Sequence, residues 1–263
     1  ATPHTPTAYK ATVLLFLNGG ADTFNLLVPV ECSLYDEYRQ RREGIALDAS
    51  ELLPIMDRRQ AHTCKRFGVN PSMKFLAEEL YERRKKAAFV SNVGNLLKPM
   101  NRAEYKRGGN CQGQFSHSHQ QNAAQTLQCQ VPNAMPRGVG GRIADELGQR
   151  GFQTTSFSVD GTSTWPQGFK TNPEIIDKKE GAVRFDQYEL WGDVLGDMNN
   201  QSYGNMYCEE YTRLFKNALN SSEMLNKALS PVELVTDYQA DGALGTQLRQ
   251  VARLIKARGE RQA

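Results

Sequence analysis

The chain has 263 residues, 39% of them hydrophobic and 23% charged, with 22 glycines and 11 prolines. This is ordinary globular composition, long enough to bury a core and unlike collagen or a disordered tail. The 32 Lys and Arg against 29 Asp and Glu leave a net charge of +3, too mild an excess to attract nucleic acid or an anionic membrane.

Residues 1–9 are rich in Thr and Pro and read as a mobile arm, with residues 10–263 as a single α/β domain. Residues 12–17 (TVLLFL) form a continuous apolar run ending in Asn18-Gly19-Gly20, which predicts a buried strand and a glycine turn, as in a parallel sheet. The run is far short of the roughly 20 apolar residues that a membrane helix needs. Residues 71–85 predict a helix: Pro71 stands at its start, and Met73, Leu76, Leu80 and Tyr81 share one face. Residues 87–91 (AAFVS) predict a second strand, so strand, helix and strand together predict a right-handed parallel crossover. A helix over 141–147 leads to a third strand over 153–159. Residues 160–205 are rich in Gly, Asn, Asp and Ser and read as a loop-rich insertion with short helical turns. Helices over 206–228 and 243–258 follow, the last with Leu244, Leu248, Val251 and Ile255 as a stripe. The chain stops soon after, where an α/β domain normally leads into another strand, and whether the domain is complete is left open.

The five cysteines are not spaced as CxxC, which argues against a structural zinc cluster. Disulfides are compatible with the sequence but not implied by it, and the odd count leaves at least one thiol unpaired within the chain. The chain begins at Ala1 without an initiator Met, which suggests a removed leader and favours an exported or organelle-targeted protein over a cytoplasmic one.

Two segments could carry chemistry. The first is the loop Asn18-Gly19-Gly20-Ala21-Asp22-Thr23-Phe24-Asn25. Ligands bind beyond the carboxyl ends of parallel strands, glycines let backbone approach a ligand, and an acidic residue there can hold a divalent metal. The plainer reading is a tight turn with Asp22 capping the helical turn that follows. The second is Phe115-Ser116-His117-Ser118-His119-Gln120-Gln121-Asn122, where Ser116 precedes a run of helix formers. A helix N-terminus binds phosphate or sulfate through its free N–H groups and dipole, and a serine there can be a nucleophile if a histidine or metal activates it. The plainer reading is a capped surface helix with two histidines on its polar side, and two His at i, i+2 do not share a face. The charge run at 82–86 and the C-terminal Lys256, Arg258 and Arg261 read as solvated cations near helix ends. Trp165 reads as a packed loop anchor.

VLLFLNGGADTFNLLVP, GVNPSMKFLAEELY, FVSNVGNLLKPMNRAEY, FSHSHQQNAAQT, GVGGRIADEL and LGTQLRQVARLIKAR, spanning 13–258, occur in the order of one group. The chain resembles the domain-of-unknown-function family fifteen-oh-one. That family is mostly bacterial, often exported by the twin-arginine route, and related to the alkaline phosphatase/sulfatase superfamily. The resemblance implies an alkaline-phosphatase-like three-layer α/β/α sandwich with a mostly parallel sheet. It implies Asp22 as first metal ligand and Ser116 as nucleophile, and Asn25 keeps the family's Asn in the same loop. The residues themselves add His117 beside Ser116 as a catalytic candidate, Asn25, Ser118 and His119 as substrate-binding candidates, and Zn, Mg or Ca as the metal. The sequence departs from the family pattern, which has an acidic residue at His119, Trp at Ala124, His at Asn70 and Trp at Val139. The family's later Gly-Phe-Asp-Thr-His block, with the remaining ligands, is missing, and one Asp with two His cannot close a two-metal site.

Two functions follow from this. One is a degenerate relative serving as a binding or structural subunit of a larger assembly, through protein partners at an open sheet edge and an exposed C-terminal helix. The other is a metal-dependent hydrolase of phosphate or sulfate esters. A carbohydrate-handling surface protein has only loop aromatics in its favour.

Overall fold

The computed structural model describes residues 9–258, apart from 59–61, 92, 95, 109, 112, 114, 130–134, 160, 183–184, 186, 203 and 237–240. The N-terminal arm, except Tyr9, and the cation Arg261 therefore lie outside the described residues. The protein is mixed α/β and divides into two compact units, one spanning 15–94 and the other comprising 1–14 with 95–263.

The 15–94 unit is built on a small antiparallel sheet. β1 (Leu27–Val30), β2 (Leu53–Met56) and β3 (Arg66–Val69) run in the order β1-β3-β2, with Leu27 and Leu53 both opposite Val69. Alternation along β1 buries Val28 and Val30 against Tyr38 of α1 (Ser33–Arg42) and Leu52. Ile55 and Val69 pack instead with Ala77. Gly68 of β3 is required by packing, since a Cβ there would lie 2.5 Å from Cβ of Leu52. Cys32 and Cys64 form a disulfide joining the start of α1 to the approach to β3. Both edge strands carry a proline, Pro29 and Pro54, and each removes one N–H donor.

The antiparallel sheet differs from the parallel crossover that the sequence predicts. Residues 12–17 and 87–91 belong to no strand, and Val13, Leu14, Leu15 and Leu17 are each 44–60% exposed. Strand identity needs a paired neighbour as well as an apolar composition, and here the pairing falls to three other segments. The helix expected over 71–85 is present in two pieces. Asn70 Oδ1 accepts from the Ser72 amide and Pro71 opens a 3₁₀ turn, Pro71–Met73; a looser π-helix, Phe75–Arg83, follows. Within the charge run Glu82 pairs with Arg58 at 2.7 Å, and Lys85 and Lys86 are solvated.

The other unit is mainly helical. α2 (Arg102–Lys106), α3 (His117–Thr126) and α4 (Val139–Gln149) precede β4 (Phe157–Val159), which pairs in parallel with β5 (Glu174–Ile176). α5 (Tyr188–Asn199), α6 (Met206–Leu229) and α7 (Gly242–Lys256) complete it. The segment 160–205 thus holds a strand and a three-turn helix where the sequence reads as loop. Its glycines at 192 and 196 weaken the helical signal of α5. The core gathers Ile176, Ala182, Leu225, Leu229, Leu254 and Ala257. α7 therefore packs inward through Leu254 and Gln250 rather than standing uncovered, although Leu244 remains 45% exposed. Apolar surface lies instead on α5 and α6, where Leu190, Trp191, Met198, Tyr207 and Tyr211 are all exposed. Cys111 and Cys129 form the second disulfide, and Cys208 on α6 is an exposed free thiol. No described helix is long and apolar enough to cross a membrane.

Candidate functional site

Asp22 and Asn25 belong to the 15–94 unit, and Ser116, His117, Ser118 and His119 to the other, so the expected site is divided between the two units.

In the serine half, Ser116 takes extended backbone at the N-cap of α3 and its carbonyl accepts the first helical bond, from Gln120 N at 3.0 Å. Its hydroxyl makes no capping bond to the first-turn amides; it meets Ser118 Oγ at 3.0 Å. Among the described residues neither His117 nor His119 hydrogen-bonds to that hydroxyl. His117 is exposed. The His119 ring lies over Gly113, where a Cβ would stand 1.5 Å from Nδ1, and that nitrogen is buried without a protein partner among the described residues.

The far end of α3 is anchored. Asn122 Oδ1 accepts from Thr164 Oγ1 at 3.1 Å, and Gln125 Oε1 accepts from Ser163 Oγ at 2.8 Å and from the Trp165 amide at 3.1 Å. Arg142 of α4 donates to the Thr126 carbonyl at 2.6 Å. These polar residues face protein, so the solvated polar face of the plainer reading applies only to the first turn. The Cys111–Cys129 disulfide closes the segment around the helix.

In the carboxylate half, Gly19 and Gly20 take φ of +121° and +73°, turning the chain into a 3₁₀ turn, Thr23–Asn25. Asp22 precedes that turn but does not cap it through its side chain. Its carboxylate pairs with the Arg42 guanidinium from the last turn of α1, which also lies 5.5 Å from the Phe24 ring centroid. Asn25 is engaged at both ends of its amide: Nδ2 donates to the Ile45 carbonyl at 3.0 Å and Oδ1 accepts from Tyr38 OH at 2.6 Å. Its carbonyl accepts from Asn70 Nδ2 at 3.1 Å.

The sequence reading missed Asp145 of α4. It is 8% exposed, and its carboxylate accepts from the amides of Phe169 (2.5 Å), Lys170 (3.2 Å) and Thr171 (2.8 Å) and from Thr171 Oγ1 (2.7 Å). Burial by itself raises this carboxyl; the Thr171 hydroxyl and the three amides outweigh it and hold it below the usual carboxylate range. Gly168 is the close approach that makes this geometry, since a Cβ there would lie 2.5 Å from Asp145 Oδ2. An open polar depression of about 450 Å³ adjoins it, lined by Thr154, Ser156, Lys170 and Asn172 among others. The signal was available in the acid at the end of GGRIAD, on the face that also carries Gly141 and Ala144.

The N-terminus of α4 is closed by the same loop. Gly138 N donates to the Gln167 carbonyl at 2.8 Å and Gly141 N to the Trp165 carbonyl at 3.0 Å, while the Trp165 ring lies against Gly140. Trp165 is thus a packed loop anchor.

Among the described residues no three or more His, Cys, Asp and Glu side chains are grouped so that they could hold a metal. Asp22 is paired with a cation, and its donor set does not fit a divalent ion in this arrangement. No protein-family model, no curated protein and no solved structure matches the chain.

Proposed function

We propose that this protein is a degenerate relative of the alkaline phosphatase/sulfatase superfamily, resembling family fifteen-oh-one, that serves as a binding or structural subunit of a larger assembly. The observation that carries the reading is the apolar surface of α5 and α6, with Leu190 at 68%, Met206 at 75%, Tyr207 at 79% and Tyr211 at 70% exposure. Several large apolar side chains left exposed on two helices support a docking surface for protein. The Asp22–Arg42 ion pair supports it too, because a hydrolase would need that carboxylate for metal. A three-layer sandwich belongs to the same reading, with the parallel pair β4–β5 as its support. So does export, for which the two disulfides speak.

One observation favours the ester hydrolase as a second reading: Ser116 keeps its hydroxyl off the helix amides, beside Ser118. In that case Asp22 would take a divalent ion, and Arg42 would have to leave it.

The deciding experiment uses the natural protein. Purification in a complex of fixed stoichiometry, with α5 and α6 protected from hydrogen exchange by the partner, is the expected result. A stoichiometric divalent ion by elemental analysis, together with hydrolysis of a chromogenic phosphate or sulfate ester lost in Asp22→Ala, would overturn it.

A further inference from the structure

We infer that Asn18 is a site of spontaneous deamidation, converting to aspartate and isoaspartate in the folded protein. Asn18-Gly19 is the sole Asn-Gly step in the sequence. Residues 18–20 are all exposed, and a Cβ on Gly19 or Gly20 would meet nothing within 4 Å. No backbone hydrogen bond from the Gly19 amide is present among the described residues, nor any side-chain hydrogen bond of Asn18. The nucleophile, the carbonyl it attacks and the path of water are therefore all open.

The chemistry needs only water and base. The Gly19 nitrogen, losing its proton to hydroxide, attacks Asn18 Cγ. The new N–C bond closes a five-membered succinimide, and the side-chain nitrogen leaves as ammonia. Water then adds to either ring carbonyl. Opening at Cγ gives aspartate; opening at the main-chain carbonyl gives isoaspartate, in which the chain runs through Cγ and gains a methylene. Glycine is the residue that permits this, having no side chain to shield its nitrogen or restrict its φ. Either product places a new carboxylate four residues before Asp22 in the same loop. The inference stands independently of the proposed function.

The test incubates the full chain, disulfides intact, at mildly alkaline pH. The tryptic peptide 11–39 is then sequenced by fragmentation, which separates Asn18 from Asn25, and isoaspartate is titrated with an isoaspartyl methyltransferase. Conversion at Asn18 keeping pace with that of the chain unfolded in urea is expected. In Gly19→Ile the branched side chain should slow it by an order of magnitude or more. Asn18→Gln, which leaves the Gly19 turn intact, should abolish it. An Asn18 that stays intact in the folded chain while the unfolded chain converts, or conversion confined to Asn25, would overturn the inference.

Discussion

Thr171 binds the Asp145 carboxylate twice, through its hydroxyl at 2.7 Å and its amide at 2.8 Å, both to Oδ1. This double contact, with the Phe169 and Lys170 amides, pins the loop before β5 onto α4. Asp145→Ala should cost about 3 kcal/mol, since it leaves several donors without their charged acceptor; urea unfolding at neutral pH checks this.

The same carboxylate should make stability depend on pH. Its pKa in the folded protein is lowered, so its contribution is present above the unfolded-state value of about 3.9 and is lost as pH falls through the folded value. Asp145→Asn should flatten that acid limb while leaving the alkaline side unchanged. An acid limb as steep as in the parent chain would contradict the assignment.

Two glycines in α4 should respond oppositely to alanine. At Gly141 a Cβ would lie 2.1 Å from the main-chain carbon of Gln167, so Gly141→Ala should destabilise and loosen the Trp165 loop. At Gly148 nothing lies within 4 Å, and Gly148→Ala should stabilise by roughly 0.5–1 kcal/mol through helix propensity. Thermal midpoints moving in opposite directions would confirm the pair.

Removing the Cys111–Cys129 disulfide should act on α3. A helix of 10 residues is marginal alone, and its C-cap is Leu127 in left-handed conformation at φ +53°, an unfavourable choice for a branched side chain. Chain-entropy reasoning for a loop of this size gives about 3 kcal/mol. In Cys111→Ser/Cys129→Ser, hydrogen exchange should accelerate first over residues 117–126.

Arg42→Ala should cost at most about 1 kcal/mol, as befits a partly exposed pair. Freed of its partner, Asp22 should still gain no stoichiometric calcium or zinc by calorimetry, because among the described residues it belongs to no group of three or more His, Cys, Asp and Glu side chains that could hold a metal. Tight binding in this variant would revive the hydrolase reading.

The long helices were legible because their signals are local. In α7 the spacing of Leu244, Leu248, Val251 and Ile255 places the helix, although Leu254 and Gln250 prove to be its most buried residues. Of the strands, only the one expected over 153–159 was legible, as β4 (Phe157–Val159); those of the antiparallel sheet were not. Residues 12–17 have the composition of a buried strand but no partner, while β1, β2 and β3 are four residues each and carry prolines or charge that break the pattern. In the candidate site, Ser116 at the head of a helix was readable from its position. What Asn25 and Asp22 bond to was not, because Tyr38, Ile45 and Arg42 reach them from 13 to 20 residues away. Asp145 was missed for the same reason: its donors lie 24 to 26 residues downstream.

Pro29 and Pro54 occupy opposite borders of the antiparallel sheet. A passing chain that tried to extend the sheet on either side would find a gap in the row of donors, so stacking into fibres is obstructed there. Association at the borders of this sheet must then be made by side chains rather than by borrowed backbone. This directs the search for binding faces to the helices and away from the sheet.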